Sequence, residues 1–474
     1  MARSRSLQPH TPQAGYGNPD PRDVVCARLA EQATRISRLD TQELDTTGLS
    51  GRDAALAHAI YDAAIRRWLT ISRLVGVGIS RPFKECQPEV QASLACGAAQ
   101  MLFLDRVPDH AAVSLAVEWA SRHGGRKVGG FVNAGLRRLA ELRGPIRARW
   151  SDGCDEIPLA DGRALGLTRP ILPVDDATAR LSIATSHSRA FIARWIDAFG
   201  EDETRRIALH SIRSGPTIIN AVHATAPIEP GEDLEPHEQS GHYVHRGDRA
   251  GLIDLLARRP DVWVQDPASS ASLDVAQGLR PRVVIDVCAG RGTKTRQLAA
   301  MFPEALIVAT DSDAARRSVL AGVFAEHQRV EVTPFETLHE RYAGRADLVL
   351  LDVPCSNSGV LARRVEARYR GSGQALARIA RLQREIISRA MGLLSAEGRL
   401  VYATCSVEEV ENGAMTRGYA DQTPGLRVER DRAVKPTGGP GLPDRMWRDG
   451  SYSCLLCRMG RGGYTPDSPT QPGR

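Results

Sequence analysis

The stretch 348–360 constrains this chain more than any other. Leu348, Val349, Leu350 and Leu351 form an unbroken apolar run, the pattern of a strand buried on both faces. Asp352 ends the run, and Pro354, which has no N–H to give, stops any ladder there. A carboxylate and a thiol, Asp352 and Cys355, are therefore expected just past a strand's carboxyl end, where open parallel sheets bind ligands. Cys405 follows a second apolar run, 400–403, in the same way. Buried cysteine is common as plain packing, but two thiols at strand ends flanking one carboxylate argue for a site.

The surrounding pattern supports that placement. Short apolar runs at 283–287, 306–309, 330–332, 348–351 and 400–403 alternate with helical stretches at 295–301, 314–327 and 375–394. Such alternation implies an α/β fold with a mostly parallel, doubly wound, Rossmann-like sheet. We assign this domain to 246–461, with 452–458 as a further strand. Upstream, apolar stripes at helical spacing begin behind Asp23, a candidate N-cap, and include Leu56, Ile60, Ala64, Trp68 and Ile71 as one stripe. Residues 23–143 are expected to form an all-α domain. Residues 144–245 read as a connecting region, with a linker at 227–245. Its His237, His242 and His245 lack a fourth ligand, so a solvated loop is expected there rather than a metal site. Polar tails at 1–22 and 462–474 are expected to be disordered.

Bulk properties narrow the function classes. A chain of 474 residues is long enough for about three domains. A net charge of +6 permits a polyanionic partner without requiring one. No apolar run approaches the roughly 20 residues that span a bilayer, and the start, Met1-Ala2-Arg3-Ser4-Arg5, has no apolar stretch behind it. Nine scattered cysteines do not read as a disulfide framework. A cytoplasmic, monomeric protein without metal is expected, in a reducing compartment that keeps thiols free.

The turn Asp286-Val287-Cys288-Ala289-Gly290-Arg291-Gly292-Thr293-Lys294-Thr295 follows the first buried run and opens a helix. A phosphate-cradling P-loop fails, because Thr293 stands where a glycine should precede Lys294. A dinucleotide fingerprint fails too, because Thr295 stands at the third glycine. A nucleoside cofactor without pyrophosphate remains, with Asp311 at the next strand's end able to bind ribose hydroxyls.

Taken together these motifs resemble the Sun/RsmB-type 16S rRNA cytosine-5 methyltransferases. Asp286-Val287-Cys288-Ala289 with Lys294-Thr295 is similar to the cofactor turn D-x-C-A-A-P-G-G-K-T. Asp352-Val353-Pro354-Cys355-Ser356 is similar to D-A-P-C-S, and Thr404-Cys405-Ser406 with Glu411-Asn412 to T-C-S…E-N. Val264-Gln265-Asp266 with Ala268-Ser269 resembles the opening of the catalytic domain. Val107-Pro108-Asp109-His110 and Phe131-Val132-Asn133-Ala134 with Arg137-Arg138 resemble the helical domain. The chain departs from the pattern at Gly290-Arg291-Gly292-Thr293, at Thr333-Pro334-Phe335-Glu336, where the family carries an acid after the third strand, at Ile218-Ile219-Asn220, which lacks an arginine, and at Val365-Glu366. Either Phe335 stacking on adenine or Glu336 substituting for the acid would serve.

The resemblance implies a NusB-like RNA-binding domain ahead of an S-adenosylmethionine domain. It implies an RNA cytosine-5 methyltransferase acting on small-subunit rRNA, most specifically at cytosine C967 of 16S rRNA. It implies S-adenosylmethionine held by Cys288, Ala289, Gly290, Arg291, Gly292, Thr293, Lys294, Asp311 and Asp352. Cys405 would be the nucleophile toward cytosine C6, Cys355 would assist proton removal and release, and Asp352 would hold cytosine N3, with Lys294 beside them. Spacing alone does not separate the two thiols, since DNA cytosine-5 methyltransferases use the cysteine of Pro-Cys. Arg363, Arg364, Arg368, Arg370, Arg378, Arg381 and Arg384 are expected to meet phosphates, although a solvated face would look similar. Tyr369 is expected to stack on a base. Two other readings are a non-catalytic RNA-binding assembly factor with a degenerate cofactor pocket and an NAD-linked dehydrogenase, which Thr295 disfavours.

Overall fold

The computed structural model describes residues 20–36, 39, 44–105 and 107–458. The tails assigned from sequence lie outside these, apart from residues 20–22, which are ordered. Backbone contacts divide the chain into two units, with the boundary between Glu141 and Leu142.

The first unit is all helical: α1 (Pro21–Ala33), α2 (Gly51–Arg66), α3 (Trp68–Gly78), α4 (Pro88–Phe103), α5 (Asp109–Gly124) and α6 (Arg126–Leu142). Helix α4 is its axis, with every residue from Val90 to Leu102 buried. Small residues make this possible: a Cβ on Gly97 would lie 2.6 Å from Leu136 Cδ1 of α6, so glycine there admits the neighbouring helix. The cap of α1 is Asp20, not Asp23. Its Oδ1 accepts from Arg22 N at 2.7 Å, and Pro21 occupies the first turn, where no N–H is needed. Asp23 lies inside that turn and takes Arg122 Nη2 at 2.6 Å. The stripe 56–71 is split into two helices at Arg67, whose φ of −115° and ψ of +19° break the helical run. Arg137 is exposed, whereas Arg138 donates to Gly78 O at 2.7 Å.

The second unit opens with a three-stranded antiparallel sheet, β1 (Arg143–Arg147), β2 (Glu156–Pro158) and β3 (Ala164–Leu167), in the order β1-β3-β2. Helices α7 (Ala177–Thr185), α8 (Arg189–Phe199) and α9 (Glu201–His210) follow. They bury Phe191, Ile192 and Trp195 against Leu361, Ala367 and Val407. Next, β4 (Thr217–Asn220), β5 (Leu234–Pro236), β6 (His242–His245) and β7 (Trp263–Val264) form a second antiparallel sheet, β5-β6-β4-β7, with α10 (Arg249–Arg258) leading into β7. The linker expected at 227–245 is therefore replaced by two strands. Its short β segments between Gly and Pro residues carry too few apolar positions to show alternation. His237 and His242 are buried and serve the fold: His237 Nε2 lies 2.7 Å from Trp447 O and His242 Nε2 2.9 Å from Ser270 Oγ.

The main sheet comprises β8 (Val283–Asp286), β9 (Leu306–Ala309), β10 (Val330–Val332), β11 (Ala346–Asp352), β12 (Leu394–Thr404), β13 (Leu426–Val434) and β14 (Ser451–Arg458). Its order is β10-β9-β8-β11-β12-β14-β13. The first five strands run parallel, and the hairpin β13–β14 joins antiparallel, a mostly parallel doubly wound sheet as expected. Val349 and Leu351 point into one core with α14 (Leu338–Tyr342), α15 (Gly373–Ala390) and α16 (Gly413–Asp421). Leu348 and Leu350 point into the other, with α12 (Thr293–Met301) and α13 (Ala314–Val323). Burial of β11 on both faces explains its unbroken apolar run. Cys454 and Cys457 of β14 are buried packing residues. The strand order reverses between β8 and β11, which opens a crevice at their carboxyl ends.

An ion network anchored on the buried Asp449 and His210 braces this unit. Arg363 Nε lies 2.6 Å from Asp449 Oδ2, and its Nη2 lies 3.2 Å from Asp266 Oδ2. His210 Nε2 lies 3.3 Å from Asp449 Oδ1 and its ring packs 3.9 Å from that of Trp447. Removing one member would leave charge buried without a partner. Arg363→Ala is expected to lower unfolding stability by about 2–4 kcal/mol, measured by urea denaturation; a change within experimental error would contradict the network's role.

Candidate active site

The crevice is built by three strand ends. Register places Leu350 of β11 opposite Asp286 of β8, and Asp352 opposite Ala403 of β12. Asp286, Asp352 and Cys405 are therefore brought to one edge of the sheet by backbone pairing alone.

After β8 the chain turns through Gly290 and Gly292, with φ of +57° and +92°. The two glycines do different jobs. A Cβ on Gly292 would lie 2.6 Å from Phe324 Cε2, whereas one on Gly290 would meet nothing within 4 Å. Gly292 thus seats the turn on α13, and Gly290 leaves bare backbone facing open space. Gly290 N donates to Asp311 Oδ2 at 3.0 Å, and Asp313 N donates to Asp311 Oδ1 at 2.9 Å. Ala289 is buried, with its N–H 2.9 Å from Thr310 O. Arg291 and Thr293 are exposed. Burial raises the Cys288 thiol well above its usual range, with Asp286, Asp352 and Asp311 adding to the effect, so it lines the turn as a neutral group.

Asp286 is fully buried. Its Oδ2 accepts from Thr295 Oγ1 at 2.7 Å, while Oδ1 has no partner among the described residues. Burial pushes this carboxyl up to about 7, against the Thr295 hydrogen bond. The orphaned oxygen, the bare backbone at Gly290 and the acid at Asp311 fit a nucleoside-bearing ligand with a cationic end.

Two loops close the other side. Cys355, after β11, and Cys405, after β12, bring their sulfurs to 3.2 Å. Asn357 holds both from a left-handed conformation, φ +59°. Its Oδ1 accepts from Cys405 Sγ at 3.2 Å and its Nδ2 donates to Cys355 O at 3.2 Å. The Cys355 thiol is held above its usual range by the hydrogen bond with Cys405, then by burial and by the charge of Glu411. Beside them, Lys294 Nζ lies 2.8 Å from Asp352 Oδ2 and 3.4 Å from Ser269 Oγ. Burial opposes the lysine's charge, but Asp352 outweighs it and holds the ammonium above its usual range, with Cys405 contributing.

The structure thus brings together Cys355, Cys405, Asp352, Lys294 and the turn 286–292. Sequence reasoning missed Asn357 and gave no site role to Ser269, Ser356 and Ser406, which it quoted only within motifs. Ser269 lies in the Gln265-Asp266-x-Ala-Ser stretch already singled out, whose Gln265 accepts from Asn220 at 2.8 Å and donates to Gln297 at 2.9 Å. After β10, Phe335 packs half-buried against the core, and exposed Glu336 stands 3.7 Å from Arg317 Nη2.

The arginine cluster is corrected in part. Arg363 serves the ion network described above. Arg368 is fully buried and donates to Thr185 O at 3.0 Å. Tyr369 is buried with its hydroxyl 3.0 Å from Ser186 Oγ, so no base can stack on it. Arg368 and Tyr369 point inward from the 3-10 turn 365–369, whereas Arg363 is exposed and reaches its carboxylates from outside that turn. Arg364, Arg378 and Arg381 are exposed, and Arg384 Nη1 lies 3.2 Å from Gln422 Oε1.

Among known proteins, residues 276–437 match the family model of the 16S rRNA methyltransferases RsmB/F. Residues 24–141 match that of the NusB family. The chain is 26% identical to the probable ribosomal RNA small subunit methyltransferase B of Bacillus subtilis, covering 93% of this chain and 99% of that one. It is 27% identical to ribosomal RNA small subunit methyltransferase B of Thermus thermophilus, covering 93% and 98%. The solved structure of PH0851 superposes with a TM-score of 0.66 over 92% of this chain and 98% of that one, at 19% identity, a likeness of fold. No helix among the described residues is long and apolar enough to cross a membrane.

The raised Asp286 carboxyl has a consequence for stability. In the unfolded chain it ionises near pH 4, but in the folded ligand-free protein only near about 7. The folded state therefore binds more protons between those values, so stability falls as pH rises through that window. Asp286→Asn is expected to reduce this slope by up to about 1.4 kcal/mol per pH unit, measured by urea denaturation from pH 4.5 to 7.5; an unchanged slope would show the carboxyl to be ordinary.

Proposed function

We propose that this chain, which belongs to the RsmB/F methyltransferase family and carries a NusB-family module, methylates C5 of a cytosine in small-subunit rRNA through a covalent adduct of Cys405. The observation that carries the reading is the 3.2 Å approach of two thiols from separate loops beside the Lys294–Asp352 pair. The finer expectation is cytosine C967 of 16S rRNA; the names of the relatives support small-subunit rRNA as the substrate class.

Cytosine C5 is a weak nucleophile. Addition of the Cys405 thiolate to C6 turns the ring enamine-like, so that C5 becomes the attacking carbon, a case of covalent catalysis. Asp352 would hold protonated N3 and stabilise the charge that develops on the ring. Lys294 orients Asp352 through their 2.8 Å contact. S-adenosylmethionine, when bound, supplies a methyl group on a cationic sulfur. Gly290, Asp311 and Asp286 would hold it, with Cys288, Ala289, Arg291, Gly292 and Thr293 shaping the turn. Once C5 carries its methyl, removal of the C5 proton reforms the C5–C6 double bond and expels the Cys405 sulfur. Cys355, 3.2 Å from that sulfur, would assist both events.

The target base must leave its stack to reach the crevice, and the flanking strand needs cationic contacts. Arg364, Arg378 and Arg381 offer these. Replacing Arg378 and Arg381 with glutamate is expected to weaken RNA binding about tenfold or more near 0.1 M salt and to flatten its salt dependence, measured by filter binding; unchanged affinity would remove this face from the interface.

The roles of the thiols are separable. Cys405→Ala is expected to abolish methyl transfer from labelled S-adenosylmethionine, with cofactor affinity by calorimetry unchanged. Cys355→Ala is expected to accumulate an RNA–protein adduct on denaturing gels. An adduct in the Cys405 variant instead would exchange the two roles. Absence of S-adenosylmethionine binding by the wild-type protein would favour the non-catalytic assembly-factor reading.

A further inference from the structure

Glu411 sits in the short turn after β12 and is fully buried. Its partners are neutral donors. Its Oε1 accepts from Ser356 N at 2.8 Å and from Gln383 Nε2 of α15 at 3.2 Å. Its Oε2 accepts from Ser356 Oγ and, at 2.6 Å, from Ser406 Oγ. Ser356 is the neighbour of Cys355 and Ser406 the neighbour of Cys405. One carboxylate therefore holds the residues that follow both thiols, and Ser406 Oγ lies 3.1 Å from Ser356 Oγ. Four donors converging on one acid are what an ionised carboxylate requires when buried.

We propose that Glu411 is a positioning residue that clamps the two cysteine loops together and holds their sulfurs in the mutual approach that addition and release require. This rests on the covalent reading above and deepens it, since neither motif by itself fixes where the other's thiol stands. Burial raises the Glu411 carboxyl, and the hydrogen bonds from Ser356 and Ser406 oppose that rise, so the same contacts that favour its charge join the loops. Its surroundings fix it in turn: Glu408 is paired with Arg194 at 2.7 Å, and Tyr402 donates its hydroxyl to Glu411 O at 2.7 Å.

The test uses the full chain and two readouts. The first is mass-spectrometric mapping of iodoacetamide labelling at Cys355 and Cys405, since only thiolate reacts. The second is the rate of methyl transfer at saturating RNA and cofactor. Wild-type protein should label at Cys405 over Cys355. Glu411→Gln, which keeps shape and loses the charge on which four donors converge, should loosen the sulfur pair and free Cys355 from the hydrogen bond with Cys405 that holds its thiol up. It should shift the labelling ratio toward Cys355 by about tenfold and lower kcat by at least that factor, with KM for S-adenosylmethionine little changed. Glu411→Asp, which shortens the reach, should move both readouts in the same direction by less. If Glu411→Gln does not fold, Ser406→Ala removes one donor; it should lose rate and shift the labelling ratio the same way. Wild-type labelling and rate in Glu411→Gln, or wild-type rate in Ser406→Ala, would overturn the proposal. The labelling ratio is independent of turnover, so a wild-type protein inactive on rRNA would count against the functional reading and leave this one standing or falling by itself.

Discussion

The site depends on the register of three parallel strands. Hydrogen bonding of β11 to β8 on one side and to β12 on the other fixes Asp286, level with Leu350, and Asp352, level with Ala403, together with the start of the Cys405 loop at one edge of the sheet. A slip by one residue would turn every side chain of a strand to the other face. It would break both hydrophobic cores and the crevice together. The apolar run of β11, buried on both sides, is what pins that register, so stability of the core and geometry of the chemistry come from the same four residues.

Around that frame the chain places charge in a graded way. Asp311 and Asp286 stand at the turn, Asp352 and Lys294 at the centre, and Glu411 behind the thiols. Most are buried, and each is answered by a specific donor: Gly290 N, Thr295, Lys294, or the serines of the two cysteine loops. Such an arrangement costs desolvation but pre-orients the groups before any ligand arrives, which is how electrostatic stabilisation acts without reorganisation. Further out, the Arg363–Asp449–Asp266 network and the Glu408–Arg194 pair fasten the helices α8 and α9 and the second antiparallel sheet to the loops of the crevice.

What could be read from the sequence follows from how local each signal is. The five parallel strands of the main sheet were legible because burial leaves continuous apolar runs, and the turn 286–295 because glycine and lysine spacing is a local property, whereas β13, an edge strand buried only at its two ends, left no such run. Cys355 and Cys405 were legible as a pair because each follows such a run. The sheet β5-β6-β4-β7 was not, since strands of two to four residues leave no alternation to detect. Arg363, Arg368 and Tyr369 misled for the opposite reason. A run of arginines looks like a phosphate face whether its side chains point outward or, as here, into carbonyls and carboxylates brought from far along the chain. Glu411 was visible as part of a motif, but its contacts with Ser356 and Ser406 exist only once two loops meet.

The central claim is that the sulfur of Cys405 bonds to a pyrimidine in RNA. It is tested most directly with RNA whose target cytosines are replaced by 5-fluorocytosine, incubated with the wild-type protein and S-adenosylmethionine. Fluorine at C5 cannot be removed as a proton is, so a covalent complex should accumulate and peptide mapping should place the RNA on Cys405. Attachment at Cys355, or no covalent complex from a protein that methylates the unmodified RNA, would contradict the account.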